Sequence, residues 1–502
     1  MDQLSNLLMG FSVLLDPINL VYCFVGCLVG TLVGVLPGIG PVGAIAILLP
    51  ATFGLDPVTG IIMLAGIYYG GSYGGSTTSI LVNIPGEACS VVTCLDGYQM
   101  AKKGRAGPAL GIAAMGSFIG GNFSVICLML LVYPLAEIAI KFGPPEFFAV
   151  MVMGLSLVTY LARGALLRTA IVVVAGLILG CVGVDHISGT YRFLFGIPEL
   201  ADGVPLVPVV MGLFGIGEVL SNLERPGEMT IYETGLKSLF PTLDDWKKSI
   251  GPIIRGSFLG FVLGIIPGGG TILSSFTDYS MEKKISKNPE EFGRGAIEGV
   301  AGPETANNAA VAGCFVPLMV FGIPSNIVMA LFLGALLIHG ITPGPVFIQQ
   351  HPEIFWGTIA SMYMGNGMLL ILNLPLIPFW VRLLKVPYRI LFPLILLFCV
   401  IGVYSTNNSV FDIYVMIFFG VVGYFLKKLQ YEFAPWVLAF VLGPMLETNF
   451  RQALIMLDGN LLGFLYRPIS AVCIIISILL LGTGGLSFIR NTRQKLAEFG
   501  EE

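Results

Sequence analysis

Two short stretches of this 502-residue chain could hold small ions within an otherwise apolar setting. The first is Tyr69-Gly-Gly-Ser-Tyr-Gly-Gly-Ser-Thr-Thr78, followed by Asn83. The second is Gly302-Pro-Glu-Thr-Ala-Asn-Asn-Ala309. Hydroxyls, amides and freed carbonyls coordinate Na⁺. Freed N–H groups at half-helix N-termini attract carboxylates through the helix dipole. No Arg or Lys lies in either stretch, so dipoles and hydroxyls would hold an anion there. Polar side chains at membrane depth are costly and default to functional hypotheses. The competing reading is hydrogen bonding between helices, for which Ser and Thr are common. Each stretch belongs to a duplicated unit, which favours function.

The substrate candidates in the first unit are Gly38, Gly40, Ser72, Gly74, Gly75, Ser76 and Thr77. Those in the second are Pro267, Gly268, Gly269, Gly270, Thr271, Asn307 and Asn308. Thr78, Asn83, Glu304, Thr305 and Asn326 are candidates for coupling a cation, with Na⁺ expected near Asn307 and Ser76. Glu304 is preferred to Glu87, which follows Ile84-Pro85-Gly86 and is expected near the cytoplasmic face. Asp278 lies near Lys283 and is expected at the membrane interface. His186, His339 and His351 are isolated and expected to be solvated in outside loops.

The elements that must position these residues carry a repeated signature. Gly26, Gly30 and Gly34 form a ladder that stops at Pro37-Gly38-x-Gly40. Gly256, Gly260 and Gly264 form another that stops at Pro267-Gly268-x-Gly270. Glycines at i, i+4 and i+8 share one helix face and let a neighbouring backbone approach closely. Each Pro-Gly turn interrupts its helix. Broken helices at matching positions in two halves point to a transporter's binding site. Downstream, each half carries a polar patch and an Ile-Pro break, at Ile84-Pro85 and Ile323-Pro324.

Composition gives the class. The chain is 55% hydrophobic and only 11% charged, with mean hydropathy +0.88. Soluble domains carry about 25% charged residues. Many apolar runs exceed the roughly 18 residues that cross a bilayer, and they do not alternate as barrel strands would. The chain is therefore expected to be an all-α polytopic membrane protein in a lipid bilayer. Nine scattered cysteines suggest packing; Cys23 and Cys27 share a helix face but have no further ligand nearby. No basic segment precedes the first apolar run, so no cleaved signal peptide is expected, and no basic tract suggests nucleic acid.

Charge placement orients the spans. Lys and Arg are absent before Lys102, then cluster at 102–105, 163–168, 225–255, 283–294, 382–389, 427–428 and 490–495. By the positive-inside rule these clusters are cytoplasmic. About eleven crossings result, with the N-terminus periplasmic and the C-terminus cytoplasmic. Segments 20–53 and 250–281 break the alternation, each entering and leaving on one face. Their return arms, Val42–Pro50 and Thr271–Tyr279, are too short to cross at 1.5 Å per residue. Both are expected to be re-entrant hairpins, the first opening outward and the second inward, in an inverted-topology repeat. The first repeat is placed at 1–223, with the hairpin and a broken span over 60–95. A cytoplasmic linker covers 224–249. The second repeat takes 250–502, with its hairpin, a broken span over 296–338 and the C-terminal helices.

Other chemistries fare less well. Gly38-x-Gly40-x-x-Gly43 matches the dinucleotide fingerprint formally, but no βαβ unit surrounds it and no acidic residue follows at the right distance. No P-loop is present. A membrane enzyme would need a nucleophile with a base or clustered metal ligands, and Ser72 and Ser76 have no His or Lys nearby. The chain is not expected to be an enzyme or to carry a structural metal or a cofactor. A passive channel suits duplicated broken helices less well than alternating access does.

The run Gly30–Gly40, Tyr69-Gly-Gly-Ser-Tyr-Gly-Gly, Asn83-Ile-Pro-Gly86, Leu95-Asp-Gly-Tyr98 and Pro303-Glu-Thr-Ala-Asn-Asn-Ala309 resembles the large membrane subunit of tripartite tricarboxylate transporters, the TctA family. The resemblance covers nearly the whole chain. One departure is Ser325, where glycine is expected after Ile-Pro. The resemblance implies a bacterial inner-membrane secondary transporter for di- and tricarboxylates driven by Na⁺ or H⁺. It also implies two partners, a small membrane subunit of about four helices and a periplasmic solute-binding protein. A stand-alone cation-coupled organic-anion carrier is the alternative.

Overall fold

The computed structural model describes residues 3–36, 40–161, 166–185, 187–224, 239–384 and 388–499. Gly38 and His186 lie outside the described residues, as does most of the expected linker, 225–238.

The described residues are mostly helical. It opens with α1 (Gln3–Leu14), α2 (Pro17–Val35), α3 (Gly40–Leu48), α4 (Pro57–Val82), α5 (Val91–Lys102) and α6 (Ala106–Ala139). Next come α7 (Pro144–Leu161), α8 (Leu166–Gly180) and a small antiparallel pair, β1 (Gly183–Val184) with β2 (Tyr191–Arg192). Helices α9 (Leu206–Val210) and α10 (Gly217–Leu223) are joined by a π turn, and α11 (Leu243–Ile265), α12 (Gly270–Ile285) and α13 (Glu298–Gly313) follow. Then come α14 (Ile327–Ile338), α15 (Phe347–Gln350), α16 (Pro352–Asn373), α17 (Ile377–Leu384), α18 (Tyr388–Asn407) and α19 (Val410–Lys428). The chain closes with α20 (Ala434–Met456), α21 (Gly463–Tyr466) and α22 (Pro468–Phe499). Among the described residues, six helical stretches of 18 residues or more are apolar enough to cross a membrane.

Local chemistry sets the boundaries. Asp16 and Asp56 each stand before a proline at the first helical position, and each side chain accepts from the amide two residues on, Ile18 at 2.9 Å and Val58 at 3.0 Å. Asp-Pro is a strong helix start because proline needs no donor there and aspartate caps the free amides. Helix α11 starts on a capping box between Thr242 and Asp245. Both ladders end where expected: α2 runs into Leu36 and α11 into Ile266, each extended and each followed by proline. Gly40 and Gly270 then have φ of +63° and +57°, which glycine adopts without steric cost. The return arm expected at Thr271–Tyr279 is longer, because Met281, Glu282, Lys283 and Lys284 are good helix formers and carry α12 to Ile285.

The Ile-Pro breaks also match in detail. Helix α4 stops at Asn83, whose φ is 59°, and Gly322, at the same place before Ile323-Pro324, has φ 69°. Both are left-handed caps, and the following proline prevents either helix from resuming.

The chain forms two compact units. The first comprises residues 1–137 and 207–424. Its centre is α4 and α13, which are buried on every side from Val58 to Val82 and from Gly299 to Gly313. The glycine ladders explain why the neighbouring helices fit so closely. Gly26, Gly30 and Gly34 of α2 lie against the carbonyls of Met63, Ile67 and Gly71 on α4. Gly256, Gly260 and Gly264 of α11 lie likewise against those of Gly302, Ala306 and Ala310 on α13. A Cβ at Gly256 or Gly264 would stand 2.6 Å from the facing oxygen, so no side chain fits.

The second unit comprises residues 138–206 and 425–502. Helix α20 packs along α7 and α8, and α22 along α7. An ion-pair network closes the loop after α8. Asp185 accepts from Arg192 at 2.5 Å and from Arg451 at 2.8 Å, while Glu447 accepts from Arg192 at 2.9 Å and from Arg451 at 3.2 Å. The Arg451 guanidinium, the Ser188 hydroxyl and the Ile187 amide hold the Asp185 carboxyl well below the usual carboxylate range.

Candidate functional site

The two polar stretches meet in the first unit. Glu304 on α13 accepts from Ser76 on α4 at 2.5 Å through one oxygen and from Thr93 on α5 through the other. Three residues along α13, Asn307 donates its amide to Glu87 at 2.9 Å. The Asn307 Oδ1 is buried and has no hydrogen-bond partner among the described residues. Glu87 also lies by the Ser72 hydroxyl and is close enough to Glu304 for the two carboxylates to interact. One cluster therefore holds two carboxylates, three hydroxyls and an amide.

Backbone breaks deliver these groups. Glu87 follows the Ile84-Pro85-Gly86 break and caps the short turn Ala88–Ser90. Its chain packs over Gly75, where a Cβ would come within 3.1 Å of the Glu87 Cγ. Gly74 faces the other way, against Gly34 of α2. The Ala88–Ser90 turn packs against α12, and the Cys89 thiol there meets Thr271.

The second tip docks on its own break. The Gly268 amide donates to the Ser325 carbonyl at 2.9 Å, and Gly270 lies beside Asn326. Ser325, where glycine was expected, is fully buried and donates to the Cys314 carbonyl at 3.3 Å. Gly269 turns back onto the Leu263 carbonyl of α11, and Pro267 is half-buried at the bend. Gly40, the described glycine of the first tip, has Gly86 as its neighbour. Gly40 and the second tip each lie beside the Ile-Pro break of their own half.

Several expected residues point elsewhere. Thr78 bonds back to the Gly75 carbonyl at 3.0 Å, as residues three apart on one helix can. Asn83 is exposed at the α4 cap. Thr305 bonds to Ala301 at 2.7 Å and packs on Gly116 and Gly120 of α6. Asn308 donates to Ser117 of α6 at 2.7 Å. Asn326 caps α14 and donates to the Tyr68 hydroxyl at 3.1 Å and towards Cys314. Thr77 lines a small polar cavity with Tyr73, Ser76, Ser117 and Asn373. Its free volume of about 10 Å³ suits a single water rather than a tricarboxylate.

Three expectations need correction. Glu87, set aside in favour of Glu304, belongs to the same cluster, because the chain after Pro85 folds back over Gly75. Asp278, placed at the interface, is fully buried between glycines of α11 and α13. His339 is not freely solvated: its Nε2 is buried near Gly60. His351 lies beside Glu353 at 3.5 Å.

Two participants were missed. Thr93 sits in a stretch with no local signal and is identified only by its contact with Glu304. Asp96, one turn on, is fully buried and accepts from the amides of Gly293, Gly295 and Ala296 at 2.7–2.9 Å and from the Tyr279 hydroxyl at 2.9 Å. It pins the loop that leads into α13.

Comparison with known proteins bears on this arrangement. Residues 20–438 match the model of the tripartite tricarboxylate transporter TctA family. An uncharacterised 52.8 kDa protein in the TAR-I ttuC' 3'region of Agrobacterium vitis is 50% identical over 496 residues, covering 99% of each chain. An uncharacterised protein in the TAR-II ttuC' 3'region of the same organism is 53% identical over 227 residues, which is 44% of this chain and 94% of the relative. No solved structure matches the chain.

Proposed function

Because the chain belongs to the tripartite tricarboxylate transporter TctA family, we propose that it is the large permease subunit of a binding-protein-dependent secondary transporter. It imports di- or tricarboxylates with Na⁺ or H⁺ across the bacterial inner membrane. Its partners are a small membrane subunit of about four helices and a periplasmic solute-binding protein that delivers the carboxylate.

The observation that carries this reading is the convergence of Glu304 and Asn307 with Ser76, Thr93 and Glu87 beside interrupted helices. Broken helices leave amides and carbonyls for a substrate, and they persist in a membrane only when buried in protein or lining a cavity. The buried Asn307 Oδ1 beside two carboxylates is a donor set suited to a cation. The cavity at Ser76 and Thr77 is far smaller than a tricarboxylate, which fits an occluded conformation that must open to load.

In this reading the two ladder halves form an inverted-topology repeat of about eleven crossings and two re-entrant hairpins. The N-terminus is periplasmic and the C-terminus cytoplasmic. The hairpins open to opposite faces, and alternating access comes from their movement against the fixed spans.

The test is carboxylate uptake into membrane vesicles that also contain the small subunit and binding protein. Asn307→Ala and Ser76→Ala are expected to abolish uptake at normal expression. Normal transport by both variants would refute the site. Undiminished uptake without the binding protein would favour a stand-alone carrier.

A further inference from the structure

Asp278 is a buried acid that the cluster around Glu304 does not use. Its side chain is fully buried, and neither carboxylate oxygen has a hydrogen-bond partner among the described residues. Two glycines from different helices make room for it. Oδ2 lies against Gly302 of α13, and a Cβ at Gly256 of α11 would come within 3.3 Å of Oδ1. Both glycines belong to the close seam between α11 and α13, so the carboxyl sits where the hairpin meets the central helix.

The groups around it are committed elsewhere. One turn along α12, Glu282 is buried and takes both prongs of Arg255 from α11, at 2.7 and 2.5 Å. These are the charged groups that act most directly on Asp278. Farther along α11, Lys248 pairs with Asp244 at 3.2 Å. On α13, Glu298 is one turn before Gly302, and Glu304 bonds Ser76 and Thr93. From α5, Asp96 faces Tyr279 and the loop amides. Cys89, on the turn against α12, meets Thr271.

We propose that Asp278 is a proton-binding site whose loading is tied to the packing of α12 against α11 and α13. An ionised carboxylate with no donor, away from water, costs several kcal/mol. The neutral acid removes that cost, so the packed seam holds the proton. When the seam parts, water reaches the carboxyl and takes the proton as hydronium. Arg255 then turns from Glu282 to the bared Asp278 carboxylate. Repacking requires a new proton. The role of this proton in coupling rests on the transport reading above; its presence on Asp278 does not.

Infrared difference spectra of the purified full chain, taken while pH is raised, test the protonation directly. A carbonyl-stretch band of a protonated acid is expected at neutral pH. It should shift when aspartate is labelled with carbon-13, disappear at alkaline pH and be missing in Asp278→Asn. The labelled wild type gives the reading even if the variant does not accumulate. Absence of any aspartate-derived band at neutral pH would overturn the proposal. In vesicles, Asp278→Asn should lose accumulation driven by a pH gradient, falling to the gradient-free level, while keeping exchange of internal for external carboxylate. Gradient-driven accumulation equal to wild type would overturn the coupling role. A wild type that shows the band but moves no carboxylate would sink the transport reading and leave the proton site standing.

Discussion

Asn307 donates to Glu87 at 2.9 Å across 220 residues of sequence. The donor stands three residues after Glu304 on a central helix, and the acceptor stands just past an Ile-Pro break in the other ladder half. A part-buried pair of this kind is worth most as a positioning device, since losing either partner leaves the other without its hydrogen bond.

Glu304 should therefore be sensitive to its own charge. Glu304→Gln keeps the size but leaves only one acceptor oxygen for the Ser76 and Thr93 hydroxyls. Uptake in vesicles is expected to fall by about tenfold or more, the effect of ~1.4 kcal/mol on a barrier. Uptake within error of wild type would remove Glu304 from the site.

The glycine seams predict a graded stability series. Gly260→Ala and Gly30→Ala drive a methyl into the carbonyls of Ala306 and Ile67. Each is expected to cost about 1–3 kcal/mol by overpacking. Gly367→Ala, on α16 with nothing within 4 Å, is the control. Thermal unfolding in detergent should separate the first two from the third, and equal midpoints for all three would contradict the seam geometry.

Asp96 predicts a local effect. Asp96→Ala leaves three amides of the loop before α13 and the Tyr279 hydroxyl without their acceptor, at about 1–3 kcal/mol for each group that stays buried. Trypsin should then cut faster between Lys283 and Arg294. An unchanged cleavage rate would mean that other contacts hold the loop.

The Asp185 network predicts an acid limb. Its carboxyl is depressed in the folded protein by Arg451, Ser188 and the Ile187 amide, so its contribution is present above the unfolded aspartate value of about 3.9 and is lost as pH falls below it. Melting temperatures measured down from neutral pH should drop in that acid range. Asp185→Asn should melt lower at neutral pH and show a shallower acid limb. A variant with the wild-type acid limb would assign that limb to other carboxylates.

Opposite openings of the two hairpins would place Ala51 and Lys284 on different faces, and both are exposed. In a background without the native cysteines, Ala51→Cys should label from outside and Lys284→Cys from the cytoplasm. Labelling of both from one face would refute the inverted repeat.

The membrane class, the ladder ends and the Ile-Pro breaks are legible in the amino-acid order. Those features are local: proline cannot continue a helix, glycine adopts positive φ without steric cost, and apolar length measures itself against a bilayer. The same order also marked Ser76, Glu304 and Asn307 as costly polar residues in apolar surroundings. Which of them meet follows from the packing of helices distant in the chain. Thr93 joined Glu304, Glu87 joined Asn307, and Thr305 and Asn308 turned to α6. Asp278 went into the glycine seam. Such pairings depend on how two helices from distant parts of the chain are rotated against each other. That rotation is set by the sum of many packed contacts, and no local spacing encodes it.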